Sequence, residues 1–303
     1  MSGSPPTGWS VWLMAARPRT LGASIAPVLM GTAMALKDGG FHAPTALATL
    51  LCAILIQVEA NYANDYFDFL KGADTEARVG PTRATAAGLV TPKQMRNATL
   101  IVLGLSLLLG LYLAWRGGWP ILTIGVLSVV FAALYTGGPY PLGYLGLGEV
   151  FVLIFFGPVA VGGTYYVQTL EWRLLPTLVG LGPGLIACAI LAVNNLRDVE
   201  EDRRTGKKTL AVRFGARFAA IEYVVCFMLG SLGIPLLMFL LSRNVAFILF
   251  SAFFLPGIFL IAPIQEVFHE QGEALNKRLA FTGKALILFA FGFSIGWLIC
   301  PLP

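Results

Sequence analysis

Long apolar runs recur along this chain of 303 residues, and each is long enough to cross a lipid bilayer as a helix. A spanning helix needs about 20 mostly apolar residues, because lipid offers no hydrogen-bond partners to an exposed backbone. Hydrophobic residues make up 57% of the chain and charged residues 12%, which excludes an ordinary water-soluble domain. We therefore predict an all-α membrane protein, with residues 1–303 as one domain. The nine predicted spans are residues 20–36, 44–69, 98–115, 119–136, 149–169, 175–196, 218–241, 245–264 and 284–301.

Basic residues are distributed unevenly between the two sides of this nine-span arrangement. All but four of the 21 Lys and Arg residues fall in connections on one side. Cytoplasmic loops carry the excess of Lys and Arg, so this side and the amino terminus are predicted to be cytoplasmic, in the inner membrane. The net charge of +5 reflects these loops, and nucleic acid is not an expected partner. The four exceptions are Lys37, Arg116, Arg173 and Arg243.

A cluster of amides and carboxylates ends the second apolar run. Polar groups are costly near a bilayer core, so function is the first interpretation of such a cluster. If the segment is helical, four-residue steps pair Asn61 with Asp65, and Asn64 with Asp68, on adjacent strips of one helix end. Their oxygens suit Mg²⁺, which we predict as the cofactor. The alternative is that they only form the solvated cap of a membrane helix.

The same spacing returns at the end of the sixth apolar run, in Asn194, Asp198 and Asp202. The loops after both clusters, residues 71–83 and 203–213, mix carboxylates with cations. Magnesium is typically held by one or two carboxylates plus substrate phosphates, while Lys and Arg meet the remaining oxygens. The two clusters therefore predict one shared diphosphate site. The alternative for the cations is that they set the topology and form surface ion pairs.

A secondary transporter is the alternative from another functional class, because two similar polar helix ends also suit an internal repeat. Transporter sites usually lie near the midplane of the bilayer on broken helices, whereas both clusters lie at the predicted cytoplasmic boundary. The placement favours an enzyme. The four Cys residues sit singly in predicted spans and the two His residues are isolated, so no thiol or imidazole metal site is expected.

The segments around both clusters resemble the UbiA superfamily of intramembrane prenyltransferases. The resemblance lies in Asn64-x-x-x-Asp68-Phe-x-Lys71-Gly72-x-Asp74 and in Asn194-x-x-x-Asp198-x-x-x-Asp202. Within the superfamily, residues 16–20, 135–139, 146–149, 163–166 and 194–198 resemble the branch that acts on 1,4-dihydroxy-2-naphthoate. The broader superfamily often has a carboxylate where this chain has Gly72. The quinone branch shares the form seen here, with the carboxylate at Asp74.

The resemblance implies nine helices around a central cavity, with the two clusters facing each other under cytoplasmic loops. It implies transfer of a polyprenyl group from a polyprenyl diphosphate to 1,4-dihydroxy-2-naphthoate, with loss of carbon dioxide and diphosphate. Another aromatic acid, 4-hydroxybenzoate or homogentisate, is the alternative acceptor. The implied metal ligands, direct or through water, are Asn64, Asp68, Asn194, Asp198 and Asp202, with Asp74 as a further candidate. The candidates for binding the diphosphate are Lys71, Arg83 and Lys207.

Other residues are expected to meet the two substrates. An allylic cation needs a dry pocket, since water would convert it to an alcohol. The aromatic candidates for this pocket are Phe67, Tyr135, Tyr165 and Tyr166. The candidates for deprotonating the acceptor or binding its carboxylate are Asp65, Glu149 and Arg19, and Asn61 is placed with the acceptor or prenyl pocket. The expected catalytic carboxylates are Asp65, Asp68, Asp198, Asp202 and Glu149. The alternative for Glu149 is a charge that stabilises a helix start.

Overall fold

A computed structural model describes residues 8–72, 80–136, 141–243 and 266–299 of the protein. Within these ranges the regular structure is helical and no strand occurs, which confirms the all-α prediction. The α-helices are α1 (Trp9–Ala16), α2 (Gly22–Lys37), α3 (Ala43–Leu70), α4 (Pro92–Thr136), α5 (Gly148–Phe155), α6 (Pro158–Thr169), α7 (Leu174–Val179), α8 (Leu181–Arg197), α9 (Val199–Arg204), α10 (Leu210–Phe214), α11 (Ala216–Met228), α12 (Ile234–Ser242) and α13 (Leu275–Ile299).

The described helices are long and apolar enough to make this chain an integral membrane protein. Six stretches pass that test, and the pair Trp9–Thr20 and Gly22–Lys37, bent by 57°, makes a possible seventh. Helix α4 is interrupted at Gly118 (φ 70°, ψ −158°), between the predicted spans 98–115 and 119–136. The predicted span 245–264 lies outside the described residues. The count of nine spans therefore stays a prediction.

The central helices pack through small residues as well as large apolar ones. Helix α2 packs against α6 and α13, and α8 packs against α5, α11 and α13. Lipid is as apolar as a side-chain core, so close backbone approach contributes much of the packing between membrane helices. At Gly31 of α2, an added Cβ would lie 2.6 Å from the carbonyl oxygen of Val161 in α6. This close approach fixes α2 against α6.

Hydrogen bonds tie together the end of the bundle that is opposite to the two acidic clusters. Arg116 donates to the carbonyl of Val167 (3.0 Å), and Arg173 donates to the Asp38 carboxylate (2.8 Å). The ammonium of Lys37 donates to a backbone carbonyl of α13. Three of the four cations predicted to be outside the cytoplasm thus join connections at this end, which we call the outer end.

Candidate active site

Helix α3 runs without a break through the first cluster and ends at Leu70, as the four-residue spacing requires. Asn61 is buried, and its amide donates to the carbonyl of Ala16 (2.9 Å) and the hydroxyl of Thr20 (3.0 Å). These bonds fasten α3 to the segment between α1 and α2, where Arg19 is exposed. The described contacts of Asn61 are therefore structural, and contact of Asn61 or Arg19 with a substrate stays a prediction.

Asp65 holds the loop that connects α3 to α4. Its carboxylate is 2% exposed and accepts the backbone N–H groups of Ala84 (2.9 Å) and Thr85 (3.0 Å), one on each oxygen. A buried carboxylate with two backbone donors is well satisfied and fixes the segment that supplies them. The described contacts make Asp65 a clamp on this loop, and its predicted part in deprotonating the acceptor stays a prediction.

The clamped loop delivers Arg83 to Asp68. Arg83 donates to one carboxylate oxygen of Asp68 (2.8 Å), and both side chains are almost fully buried. The hydroxyl of Tyr144 donates to the other oxygen (3.2 Å). The ammonium nitrogen of Lys207 lies 3.8 Å from that same oxygen. One carboxylate of the first cluster thus faces three groups from three later segments of the chain.

The second cluster reaches the same lysine. Helix α8 ends at Arg197 and α9 begins after Asp198, yet the N–H of Asp202 still donates to the carbonyl of Asp198 (2.8 Å), so the four-residue step survives. The ammonium of Lys207 lies 3.8 Å from a carboxylate oxygen of Asp202. Lys207 is therefore equally distant from Asp68 and Asp202, and the structure brings the two clusters together.

Burial shifts the ionisation of this junction. It raises the pKa of the Asp202 carboxyl to about 7; Lys207 opposes this effect, and neighbouring carboxylates, Asp198 first among them, add to it. Burial also lowers the pKa of the Lys71 ammonium, an effect that Asp68 opposes and Lys207 strengthens. Carboxylates and ammonium groups therefore lie close together here and influence each other's ionisation. An anionic ligand that binds with its cations changes the charge that these groups face.

Arg197 is a site residue that the sequence analysis missed. It is 5% exposed and donates to both carboxylate oxygens of Asp198, at 2.7 Å and 2.6 Å. It also donates to the side-chain oxygens of Asn194 (2.9 Å) and of Asn276 in α13 (2.9 Å). Adjacent residues do not face each other on a regular helix, so spacing gave no signal for this pair.

Tyr144 was also missed. It lies in the short helical turn Leu142–Tyr144, and the ammonium groups of Lys71 and Lys207 lie 4.5 Å and 4.9 Å from its ring centroid. The signal for this turn in the sequence was the glycine at position 146. In the structure Gly146 has a φ of +70° and lies close to the carbonyl of Lys208, and both features favour glycine. That glycine marks the place where the loop after α4 contacts the loop after α9.

Glu149 lies in the first turn of α5 and accepts a hydrogen bond from the amide of Asn195 (2.8 Å). This bond joins α5 to α8 at Asn195, which follows Asn194 of the second cluster. Its position also fits the alternative of a charge at a helix start. Contact with the acceptor stays a prediction.

The structure places two tyrosines expected in the prenyl pocket at the outer end. The hydroxyl of Tyr165 donates to Asp38 (2.6 Å), and that of Tyr166 donates to the carbonyl of Gly117 (3.1 Å). Both lie near the end of α6, whereas Glu149 in the first turn of α5 contacts Asn195 of the second cluster. The side chain of Tyr135 and all of Asp74 lie outside the described residues.

An apolar cavity of about 370 Å³ lies between α2, α3, α4, α5 and α6. Asn64 of the first cluster lines it, and so does Val167 near the outer end. Its aromatic wall is formed by Phe131, Phe151, Phe155 and Phe156, and the rings of Phe131 and Phe151 are 4.6 Å apart between centroids. Phe67, Tyr165 and Tyr166 are not among the residues that line this cavity, and their contact with a substrate, like that of Tyr135, stays a prediction.

The donor chemistry at the junction suits a hard cation. Among the described residues, no group of three or more Asp, Glu, His or Cys side chains is placed to hold a metal by itself. Magnesium usually needs only one or two protein carboxylates when substrate phosphates supply other oxygens. Asp68 and Asp202 beside Lys207 meet that requirement, so the residues fit Mg²⁺ together with a diphosphate.

Fold and site together define an integral membrane protein with a cluster of carboxylates and cations and an apolar cavity, and Asn64 of the first cluster lines that cavity. Residues 24–284 match the UbiA prenyltransferase family, and the chain belongs to this family. It is 36% identical over 299 residues to the 1,4-dihydroxy-2-naphthoate octaprenyltransferase of Haemophilus influenzae, covering 95% of this chain and 96% of that relative.

Two further comparisons agree with this assignment. The enzyme of the same name from Bacillus subtilis is 32% identical, over 96% of this chain and 93% of the relative. The solved structure of a UbiA homolog from Archaeoglobus fulgidus bound to DMAPP and Mg²⁺ shares the fold, with a TM-score of 0.59 at 14% identity. The match covers 94% of this chain and 99% of that one.

Proposed function

We propose that this protein transfers a polyprenyl group from a polyprenyl diphosphate to 1,4-dihydroxy-2-naphthoate, releasing diphosphate and carbon dioxide and giving a demethylmenaquinol. The observation that carries the proposal is the junction at Lys207, 3.8 Å from Asp68 and from Asp202, beside an apolar cavity. It suits a substrate with an anionic head and an apolar tail. The names of the two bacterial relatives support the naphthoate as acceptor.

The anionic head is assigned to the junction. Lys71, Arg83 and Lys207 neutralise the diphosphate as it leaves, because ammonium and guanidinium groups form strong hydrogen bonds with phosphate oxygens. The residues that would hold Mg²⁺ are Asp68, Asp198 and Asp202, with Asn64 and Asn194. When bound there, Mg²⁺ neutralises charge on the phosphate oxygens. The homolog bound to DMAPP and Mg²⁺ supports this use of the site.

The apolar tail is assigned to the cavity, where Phe131, Phe151 and Phe155 exclude water. The bond between the first prenyl carbon and the diphosphate oxygen breaks, and a ring carbon of the acceptor forms a bond to that carbon. The carboxylate on the alkylated ring carbon leaves as carbon dioxide, and its bonding electrons restore the aromatic ring. No proton has to be taken from that carbon.

The acceptor is tested through the coproduct. Purified protein with Mg²⁺, a polyprenyl diphosphate and carboxylate-labelled 1,4-dihydroxy-2-naphthoate should release one labelled carbon dioxide per prenyl group transferred. Prenylation of 4-hydroxybenzoate keeps the carboxylate, so label retained in the product, or consumption of 4-hydroxybenzoate alone, would contradict this acceptor. A transporter would form no prenylated product.

We further propose that residues 1–303 form one domain in the cytoplasmic membrane, with the site facing the cytoplasm. Packing of α13 against α2 and α8 supports a single domain, and the 21 Lys and Arg residues support the orientation. Nine spans place the two ends of the chain on opposite sides. A reporter fused after Pro303 should be active outside the cytoplasm, and activity only inside would contradict the span count.

A further inference from the structure

We propose that Tyr144 is a positioning residue whose ring holds Lys71 and Lys207 side by side, so that both ammonium groups bind one diphosphate. The inference rests on the proposed function and adds a residue that belongs to neither acidic cluster. Lys71 follows the last residue of α3, and Lys207 comes after α9, so the two lysines belong to different clusters. A single ring is thus the common support of cations from both halves of the site.

The geometry is that of two cation–π contacts on one ring. The nitrogen of Lys71 lies 4.5 Å from the ring centroid and that of Lys207 lies 4.9 Å away, within the 6 Å or so at which the attraction acts. Lysine side chains are flexible and do not hold a fixed direction by themselves. Two like charges at one ring repel each other, and a multivalent anion between them removes that repulsion. The arrangement therefore favours diphosphate over a singly charged ligand.

The ring itself is held in place by contacts with both clusters. The hydroxyl of Tyr144 donates to Asp68 (3.2 Å), and its carbonyl accepts the N–H of Lys208 (2.8 Å). Arg213 donates to the carbonyl of Leu145, the residue after Tyr144 (2.8 Å). Gly146 then lets the backbone pass close to Lys208. Because the turn is attached to the first cluster on one side and to the loop of the second on the other, Tyr144 fixes the distance between the two lysines.

Two substitutions separate the ring from the hydroxyl. Tyr144→Phe keeps the ring and loses only the hydrogen bond from the hydroxyl to Asp68, so it should raise the Kd and KM for the polyprenyl diphosphate by less than Tyr144→Leu does. Tyr144→Leu removes both cation–π contacts and should raise the donor Kd and KM about tenfold, with a smaller change in kcat. Tyr112→Leu is the matched control, since Tyr112 lies at the outer end beside Thr45 (3.3 Å) and should leave the donor Kd unchanged.

A fluorination series keeps the test valid even if Tyr144→Leu does not fold. Phenylalanine with one, two or three ring fluorines at position 144 keeps its shape while the negative face of the ring is progressively weakened. We expect the donor Kd, measured directly by equilibrium binding, to rise with each fluorine. A flat series, or a Leu variant with the donor Kd of the Phe variant, would overturn the role of Tyr144. Wild-type protein that forms no prenylated product would instead refute the proposed function.

Discussion

The two acidic clusters have the same four-residue spacing but obtain their neutralising cations in different ways. In the first cluster, Asp68 is neutralised by Arg83, which comes from the following loop and is positioned because Asp65 holds that loop. In the second, Arg197 lies inside the cluster and binds both oxygens of its neighbour Asp198. One cluster depends on a loop, and the other is stabilised mainly within its own helix end.

This difference shows that a repeated spacing is not a repeated role. In the first cluster, Asn61 and Asp65 form one strip, and both bind backbone groups of neighbouring segments. The second cluster has no such strip, and Asn276 of α13 supports its arginine instead. Among the described residues, the two clusters meet at Lys207, which each approaches with one carboxylate. We therefore expect substitutions in the two clusters to change the free energy of unfolding by different amounts and to lower turnover by similar amounts.

The largest effect is expected on catalysis and should be common to both clusters. Asp68→Asn and Asp198→Asn should each lower turnover at least about 100-fold while the protein still inserts, because each loses a carboxylate that supports the metal and the diphosphate. Turnover with saturating donor, acceptor and Mg²⁺ measures this. Asp38→Asn at the outer end is the control and should keep its activity. Near-normal rates in both variants at unchanged expression would refute a site that uses both clusters.

The second prediction is that loss of the arginine costs more stability in the second cluster than in the first. Arg197→Met leaves Asp198 buried without its bidentate partner and should cost about 3–5 kcal/mol of unfolding free energy. Arg83→Met should cost less, because Tyr144 and Lys207 remain near Asp68. Denaturant unfolding of the purified proteins in detergent compares the two. Equal losses, or a larger loss for Arg83→Met, would show that the clusters do not differ in the way described.

The smallest effect is expected for the loop clamp. Asp65→Asn leaves one backbone N–H of Ala84 or Thr85 without an acceptor and should cost about 1–3 kcal/mol. Hydrogen exchange at those two amides should become faster, and turnover should fall because Arg83 is less well placed. Native exchange rates at both amides together with lost turnover would instead make Asp65 a group that acts on the acceptor.

The sequence predicted the parts of the site that depend on helical periodicity. The four-residue steps and the polar ends of apolar runs were enough to place Asp68 and Asp202 near one another. They were not enough for Arg197, whose partner is its own neighbour across a helix break, or for Tyr144, which lies in a turn without periodicity. The contacts of Tyr144 depend on the meeting of loops that are distant in the chain, and those of Arg197 depend on where the helix breaks.

The aromatic residues of the cavity show a second limit. Tyr165 and Tyr166 lie at the outer end and are not among the residues that line the cavity, so their contact with a substrate stays a prediction. Phe151 and Phe155 are four residues apart near the start of the same predicted span, on one face. The packing of five helices decides which face lines the cavity, and the sequence pattern of a single helix does not predict that packing.

A double-mutant cycle on donor binding tests whether both clusters form one site. The Kd for a polyprenyl diphosphate in the presence of Mg²⁺ would be measured for wild type, Asp68→Asn, Asp202→Asn and the double variant. Both carboxylates lie 3.8 Å from Lys207, so their contributions should be coupled. In a shared site, the double variant should bind the donor no more than about threefold more weakly than the weaker single variant. Losses that multiply across the two substitutions would contradict a shared site.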